Sequence, residues 1–272
     1  MIAMDTLFAT APRISHTLVH PASALVHHNE TLTQVSTTLT TLLGTGKGDP
    51  TWLDNPALTK QFVPAIYETL LMLGFSTFFT VLIGLPLGLL LVYTGKTGLT
   101  PNRPVYEALS LIVNVVRSFP FIIGIIVLIP LTRLIIGKAL GWEATVFPLT
   151  VLAVPFFARL VESNVLAVDS GKIEAAQMMG ASNLQICWGV YVREALPTII
   201  QSVTTLAITL IGYTAMAGVV GGGGLGQMAI NYGYNRWQYD VMVSTIVVII
   251  LIVQIVQMIG DLIARAVDHT RG

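Results

Sequence analysis

Five long stretches of the chain are dominated by apolar positions, and polar residues gather between them. They cover about residues 66–93, 108–131, 144–165, 198–220 and 241–259. A helix needs roughly 20 apolar residues to cross the hydrocarbon of a bilayer, so each is long enough to span. None alternates polar and apolar residues in the manner of a barrel strand, and backbone groups in lipid must be satisfied within the segment. The pattern predicts an all-α integral membrane protein with five transmembrane helices. An odd number places the two termini on opposite sides.

Composition agrees. Hydrophobic residues make up 54% of the chain and charged residues 10%, against about 25% charged in a soluble domain. The formal net charge is zero, which gives no sign of a nucleic-acid partner. Lys96, Arg103, Lys172, Arg193, Arg265 and Arg271 fall on one side of the predicted spans, and Arg133, Lys138 and Arg236 on the other. Positive residues collect in cytoplasmic loops. This bias places residues 93–105, residues 166–196 and the C-terminus inside, and the N-terminus outside. The single cysteine, Cys187, has no internal partner for a disulfide.

Residues 1–60 differ from the rest and predict a poorly ordered extension. They hold four of the five histidines, His16, His20, His27 and His28, at spacings that fit no standard metal pattern. GTGKGD at 44–49 has the look of a phosphate loop. However, Thr41 stands where its first glycine is needed, and Gly48 where Ser or Thr would meet magnesium. Gly46-Lys47-Gly48-Asp49 and Tyr239-Asp240 match two short motifs of intramembrane aspartyl proteases, but in reversed order and outside the spans, so no shared proton between facing carboxylates follows. No catalytic residue, metal or cofactor is expected in this chain. What remains is transport or channel work.

Arg117 lies near the middle of the second predicted span, followed by Pro120, which kinks helices. A charge at that depth faces a bundle interior or a water cavity; it lines a pathway or makes a structural polar contact. Arg159 and Glu162, three apart on the third span, are placed to pair with each other. The fourth span is rich in small residues around Tyr213 and Met216. Met216 is either a pathway constriction, closing by exclusion of water, or core filler. Four glycines at 221–224 predict a flexible loop with exposed amides.

One polar stretch stands apart: EAAQMMGASNLQICWGVYVREALP, residues 174–197, between the third and fourth spans. Ser170 or Gly171 suits an N-cap, which puts Glu174 in the first turn of a short helix. Gly180 suits a left-handed stop, and Ser182 with Gln185 a capping box that starts a second helix. Ala175, Ala176 and Gly180 leave a surface free of bulk, while Met178 and Met179 offer adaptable apolar contact. This helix–elbow–helix is either a docking surface for another protein or an amphipathic connector at the membrane.

EAA, three residues and Gly180 resemble the EAA loop of ABC-importer permeases. In that family nine residues and an apolar-x-Leu-Pro follow. Here Val190 fits, but Val192-Arg193 occupies the Leu-Pro position and Leu196-Pro197 comes one turn later. VNVVRSFPFIIGIIVLIPLTR, PLTVLAVPFFARLVESN, GYTAMAGVVGGGGLGQ and NYGY further resemble the permeases of bacterial methionine importers, over about residues 61–268. The resemblance implies an inner-membrane homodimer of five-span subunits with two cytoplasmic ABC ATPase subunits and a periplasmic or lipid-anchored solute-binding protein. It implies import of methionine (D- or L-) or a related solute, with another amino acid, a phosphonate or an osmoprotectant as alternatives. It also implies that the coupling segment, residues 169–193, meets the ATPase through Glu174, Ala175, Ala176, Met179, Gly180 and Ala181, and it puts a methionine near the closed end of the pathway, so Met216, with Arg117 and Tyr213, is expected as a pathway or gate group. A stand-alone secondary transporter or channel is the rival. Such transporters often carry acids in their spans for ion coupling, and these spans are nearly free of them. Moving a two-state pore from 1:99 to 99:1 takes about 5.5 kcal/mol of differential binding, which a nucleotide-driven partner can supply.

Overall fold

The computed structural model describes residues 55–267. The histidine cluster, GTGKGD and Arg271 lie outside the described residues.

A short helix, α1 (Pro56–Lys60), comes first. The Asn55 side chain caps it by accepting from the Ala57 N–H at 2.9 Å. The same side chain donates to Asp240 Oδ2 at 2.6 Å, joining it to the start of the last helix. Residues 55–60, grouped above with the extension, therefore belong to the bundle.

The first span, α2 (Phe62–Thr94), is about 50 Å long at 1.5 Å per residue. Thr69, Met72, Ser76, Thr80, Gly84, Gly88 and Leu91 form a buried stripe along it. This stripe packs on the third span, α5 (Trp142–Leu166), whose Leu149, Ala153, Phe157 and Val161 are buried. A Cβ on Gly88 would lie 2.6 Å from the Ala158 carbonyl and from Val161 Cβ. Small residues thus let the two backbones approach, which is how helices associate where lipid offers no hydrophobic contrast. α5 runs unbroken through both Pro148 and Pro155. Neighbouring helices in a membrane bundle tolerate internal proline in this way.

The second span departs from expectation. It is two helices, α3 (Arg103–Ser118) and α4 (Phe121–Ile136), bent by 107°. The residue before a proline is pushed out of the helical region. Phe119, at φ −71° and ψ 128°, is extended, and Pro120 follows in the same way as the N-cap of α4. Pro120 breaks this span where a kink was expected. Arg117 is accordingly an exposed residue in the last turn of α3, and is not buried at mid-span.

Beyond α5 come α6 (Ser170–Met178), α7 (Asn183–Ile186), a π-helical stretch Cys187–Tyr191, and α8 (Val192–Glu194). The fourth span, α9 (Leu196–Val219), starts at the displaced Leu196-Pro197, with proline in the first turn where its missing N–H costs nothing. Then follow α10 (Gly224–Met228), a second π-helical stretch Ala229–Tyr234, and the last span, α11 (Tyr239–Val267). Four helices are each long and apolar enough to cross a membrane, and the bent pair makes a fifth span if counted as one. The last span buries Ile252, Gly260 and Ala264 but exposes Ile246, Ile250, Ile255 and Leu262.

Candidate functional site

The polar stretch folds as helix, elbow and helix. Asp169 caps α6, accepting from the Gly171 N–H at 2.8 Å. The cap is therefore one residue before Ser170, and Glu174 falls in the second turn instead of the first. The stop is at Gly180, with φ +79°. Ala181 N–H donates to the Ala176 carbonyl (3.1 Å) and Gly180 N–H to that of Gln177 (2.9 Å). These paired bonds close the end of α6 and require a left-handed residue between them. Ser182 and Gln185 form the expected reciprocal capping box. Lys172 meets Glu194 at 2.5 Å, linking the start of α6 to α8. That pair is half exposed and contributes at most about 1 kcal/mol.

One face of this elbow is open. Met178 is 90% exposed, Met179 82% and Leu184 70%, and Glu174, Ala175 and Gly180 are exposed beside them. Ala181 is half-buried. Ala176 is different: it is only 6% exposed, so it supports the surface from beneath and does not form part of it. Ile186, Cys187 and Tyr191 are buried under the segment. Burial pushes the Cys187 thiol above its ordinary range. The Tyr191 phenol rises for the same reason, with a smaller push from the neighbouring thiol.

At the other end of the bundle, the glycine stretch is not the flexible loop expected from sequence. Gly222 through Gly226 are buried, and Gly221, Gly223 and Gly224 take positive φ. Their amides are engaged. Gly223 N–H donates to Gln227 Oε1 (2.7 Å), Gly224 N–H to Glu68 Oε2 (2.7 Å) and Leu225 N–H to Thr69 Oγ1 (2.9 Å). Glu68 and Thr69, which the sequence reading missed, thus hold this turn to the first span. The sequence signal was an acid and a threonine side by side in an otherwise apolar helix.

A buried polar clasp joins α3 to α5. Arg159 meets Glu162 at 2.5 Å, with the two side chains 18% and 8% exposed. Arg159 also donates to Ser110 Oγ (2.5 Å) and Asn114 Oδ1 (3.0 Å), and the Tyr106 hydroxyl donates to Glu162 Oε1 (3.1 Å). The expected pair is present, and the structure adds three α3 residues spaced by four. That spacing was the missed signal: Tyr106, Ser110 and Asn114 share one face of a helix. Tyr213 stacks on Phe121 just past the bend, ring centroids 3.8 Å apart and planes within 12°. Met216 is 50% exposed three residues further on. No hydrogen bond or ion pair among the described residues joins Arg117 to Tyr213.

These features define a multi-span helical membrane protein with an exposed helix–elbow–helix segment, and similarity gives its family. Residues 81–271 match the model of the binding-protein-dependent transport system inner membrane component. The chain belongs to this family of multi-pass inner-membrane transport subunits. It is 48% identical over 205 residues to the probable D-methionine transport system permease protein MetI of Vibrio cholerae, covering 75% of this chain and 91% of that one. It is 44% identical over 204 residues to the methionine import system permease protein MetP of Bacillus subtilis, covering 75% and 92%. A solved chain from inward-facing conformations of the MetNI methionine ABC transporter superposes with a TM-score of 0.77 at 43% identity, covering 79% of this chain and 99% of that one.

Proposed function

We propose that this chain is the membrane-spanning subunit of an ATP-driven importer whose solute is methionine, in D- or L-form. The observation that carries this reading is the 48% identity over 91% of a relative named for D-methionine transport. Two copies of the chain enclose the pathway. Each offers its elbow, through Glu174, Ala175, Met179, Gly180 and Ala181 over a base that includes Ala176, to one of two cytoplasmic ABC ATPase subunits. The exposed pair Met178 and Met179 supplies contact that can repack as the partner moves. A periplasmic or lipid-anchored binding protein delivers the solute at the glycine-turn end. ATP binding and hydrolysis occur on the partner, and the docked elbows transmit closure to the spans by rigid-body rocking. The loop-charge bias supports a cytoplasmic elbow, an outside N-terminus and an inside C-terminus. Alkaline phosphatase fused after residue 272 is then inactive, and a highly active fusion reverses the orientation.

Met216, with Tyr213 and Arg117 beside the bend, is the pathway or gate group in this reading. Half-exposed in one chain, Met216 is free to meet its copy across a two-fold axis. The test is uptake of labelled methionine by vesicles holding this chain, its ATPase and its binding protein. Movement of another solute in place of methionine defeats the substrate assignment. In the same vesicles, Met216→Cys on a Cys187→Ser background crosslinks between copies at rest and less after trapping with ATP. Absence of any crosslink, with normal uptake by Met216→Ala, returns Met216 to packing.

A further inference from the structure

A cavity of about 510 Å³ opens beside the glycine turn, between the first turns of α2, the start of α5, α10 and the second π-helical stretch. Its volume falls in the range of small-molecule sites, roughly 300–1,000 Å³. Glu68, Trp142, Gln227, Met228, Asn231 and Tyr232 are among its walls. Glu68 is the acid of this lining. Its Oε2 accepts the Gly224 N–H, while its Oε1 has no hydrogen-bond partner among the described residues, and no Lys or Arg among them lies within ion-pair distance. Arg236 lies over the Tyr232 ring, 4.6 Å from its centroid, and is not paired with Glu68. Phe75 stacks with Trp142 at 6.4 Å, fixing the indole at the wall.

We propose that this cavity binds a small organic ammonium ion, with the free oxygen of Glu68 as counter-ion and Trp142 and Met228 as the wall for its carbon skeleton. A carboxylate beside an aromatic face suits an ammonium, which gains from both the charge and the ring quadrupole. A metal ion fits poorly: no group of three His, Cys, Asp or Glu among the described residues could hold one, and hard cations take six or more oxygens. The ammonium has two possible sources, a free amine in solution or the ethanolamine headgroup of a membrane lipid. The site is independent of which solute the permease moves.

The probe is 4-amino-TEMPO, a nitroxide that carries an ammonium at neutral pH, titrated into the full chain in phosphatidylglycerol nanodiscs and followed by electron paramagnetic resonance. A saturable immobilised signal, absent with neutral 4-hydroxy-TEMPO, is expected. Glu68→Gln keeps an acceptor for the Gly224 N–H, so the turn holds, and removes the charge. It should weaken the amine by about tenfold, the worth of one charge-assisted contact. Thermal unfolding of the variant, unchanged from the parent, confirms that it folds. Competition by added phosphatidylethanolamine identifies the headgroup as the occupant, and competition by butylammonium without it identifies a free amine. Equal behaviour of the two nitroxides, or an unaltered amine titration in Glu68→Gln, overturns the proposal.

Discussion

Two glycine turns mark the two ends of this bundle, and they differ in how crowded their glycines are. At Gly180 the need is conformational: φ is +79°, and nothing lies within 4 Å of where a Cβ would stand. At the other end Gly221, Gly223 and Gly224 also take positive φ, and a need for space is added to it. A Cβ on Gly226 would lie 2.5 Å from Ala215 Cα, and one on Gly218 would lie 2.2 Å from the Gln227 N. The elbow is thus shaped by its own backbone and left open, while the glycine turn is wedged into its surroundings. An open, self-supporting elbow suits a surface that a partner covers. A wedged turn suits a fixed seal.

Substitutions can break this contrast. Gly226→Ala is expected to have the largest effect, because backbone atoms, which cannot rotate aside, occupy the new methyl's position. A loss of about 3 kcal/mol is expected, read as a fall in thermal unfolding temperature and in the yield of monodisperse protein. Ala176→Asp comes next. Its side chain enters the buried base of the elbow, where the base one turn earlier, Lys172, is already paired with Glu194, so the segment is expected to unfold locally, read as rapid labelling of Cys187. Gly180 separates folding from coupling. Gly180→Leu costs roughly 1–2 kcal/mol in left-handed strain and leaves the protein folded, yet its side chain projects into the open face. Uptake should fail while the partner's ATP hydrolysis persists, and Gly180→Asn, which tolerates this conformation, should retain more uptake.

The smallest expected effect is with pH. The fold raises the Cys187 thiol above its ordinary value of about 8.5, so the folded state holds this proton more tightly than the unfolded one. The resulting stability is complete below that ordinary value and is lost as pH rises through the folded one. Maleimide labelling of Cys187 should therefore stay slow near neutrality and accelerate only in alkali. Cys187→Ser should lessen the alkaline loosening of the segment. Fast labelling of folded protein at neutral pH contradicts this burial.

Much of this was legible in the sequence. Apolar run length gave the spans, because a bilayer fixes the length of helix it hides. The elbow was readable residue by residue, because caps and left-handed stops are local: Gly180 and the Ser182–Gln185 box are set by neighbours within four positions. Less legible was whatever depends on distant chain. The glycine stretch read as loose because Glu68 and Thr69, which hold it, lie 156 residues earlier. Ala176 read as surface because composition does not say which side of a short helix faces its own chain. Pro120 was seen, but whether a proline bends a span or breaks it depends on packing: Pro155 lies inside a continuous α5, whereas Pro120 ends α3.

The bonds from Glu68 and Thr69 also set an order of events in biosynthesis. A ribosome adding roughly 5–20 residues per second delivers Gly224 about 10–30 s after Glu68. Through that interval the Glu68 carboxylate and the Thr69 hydroxyl oxygen lack the two amide donors they later accept. A chain that stops before residue 223 never supplies them. The closing turn therefore forms only after the fourth span has been made, and a product truncated before it keeps an unmatched carboxylate on its first helix.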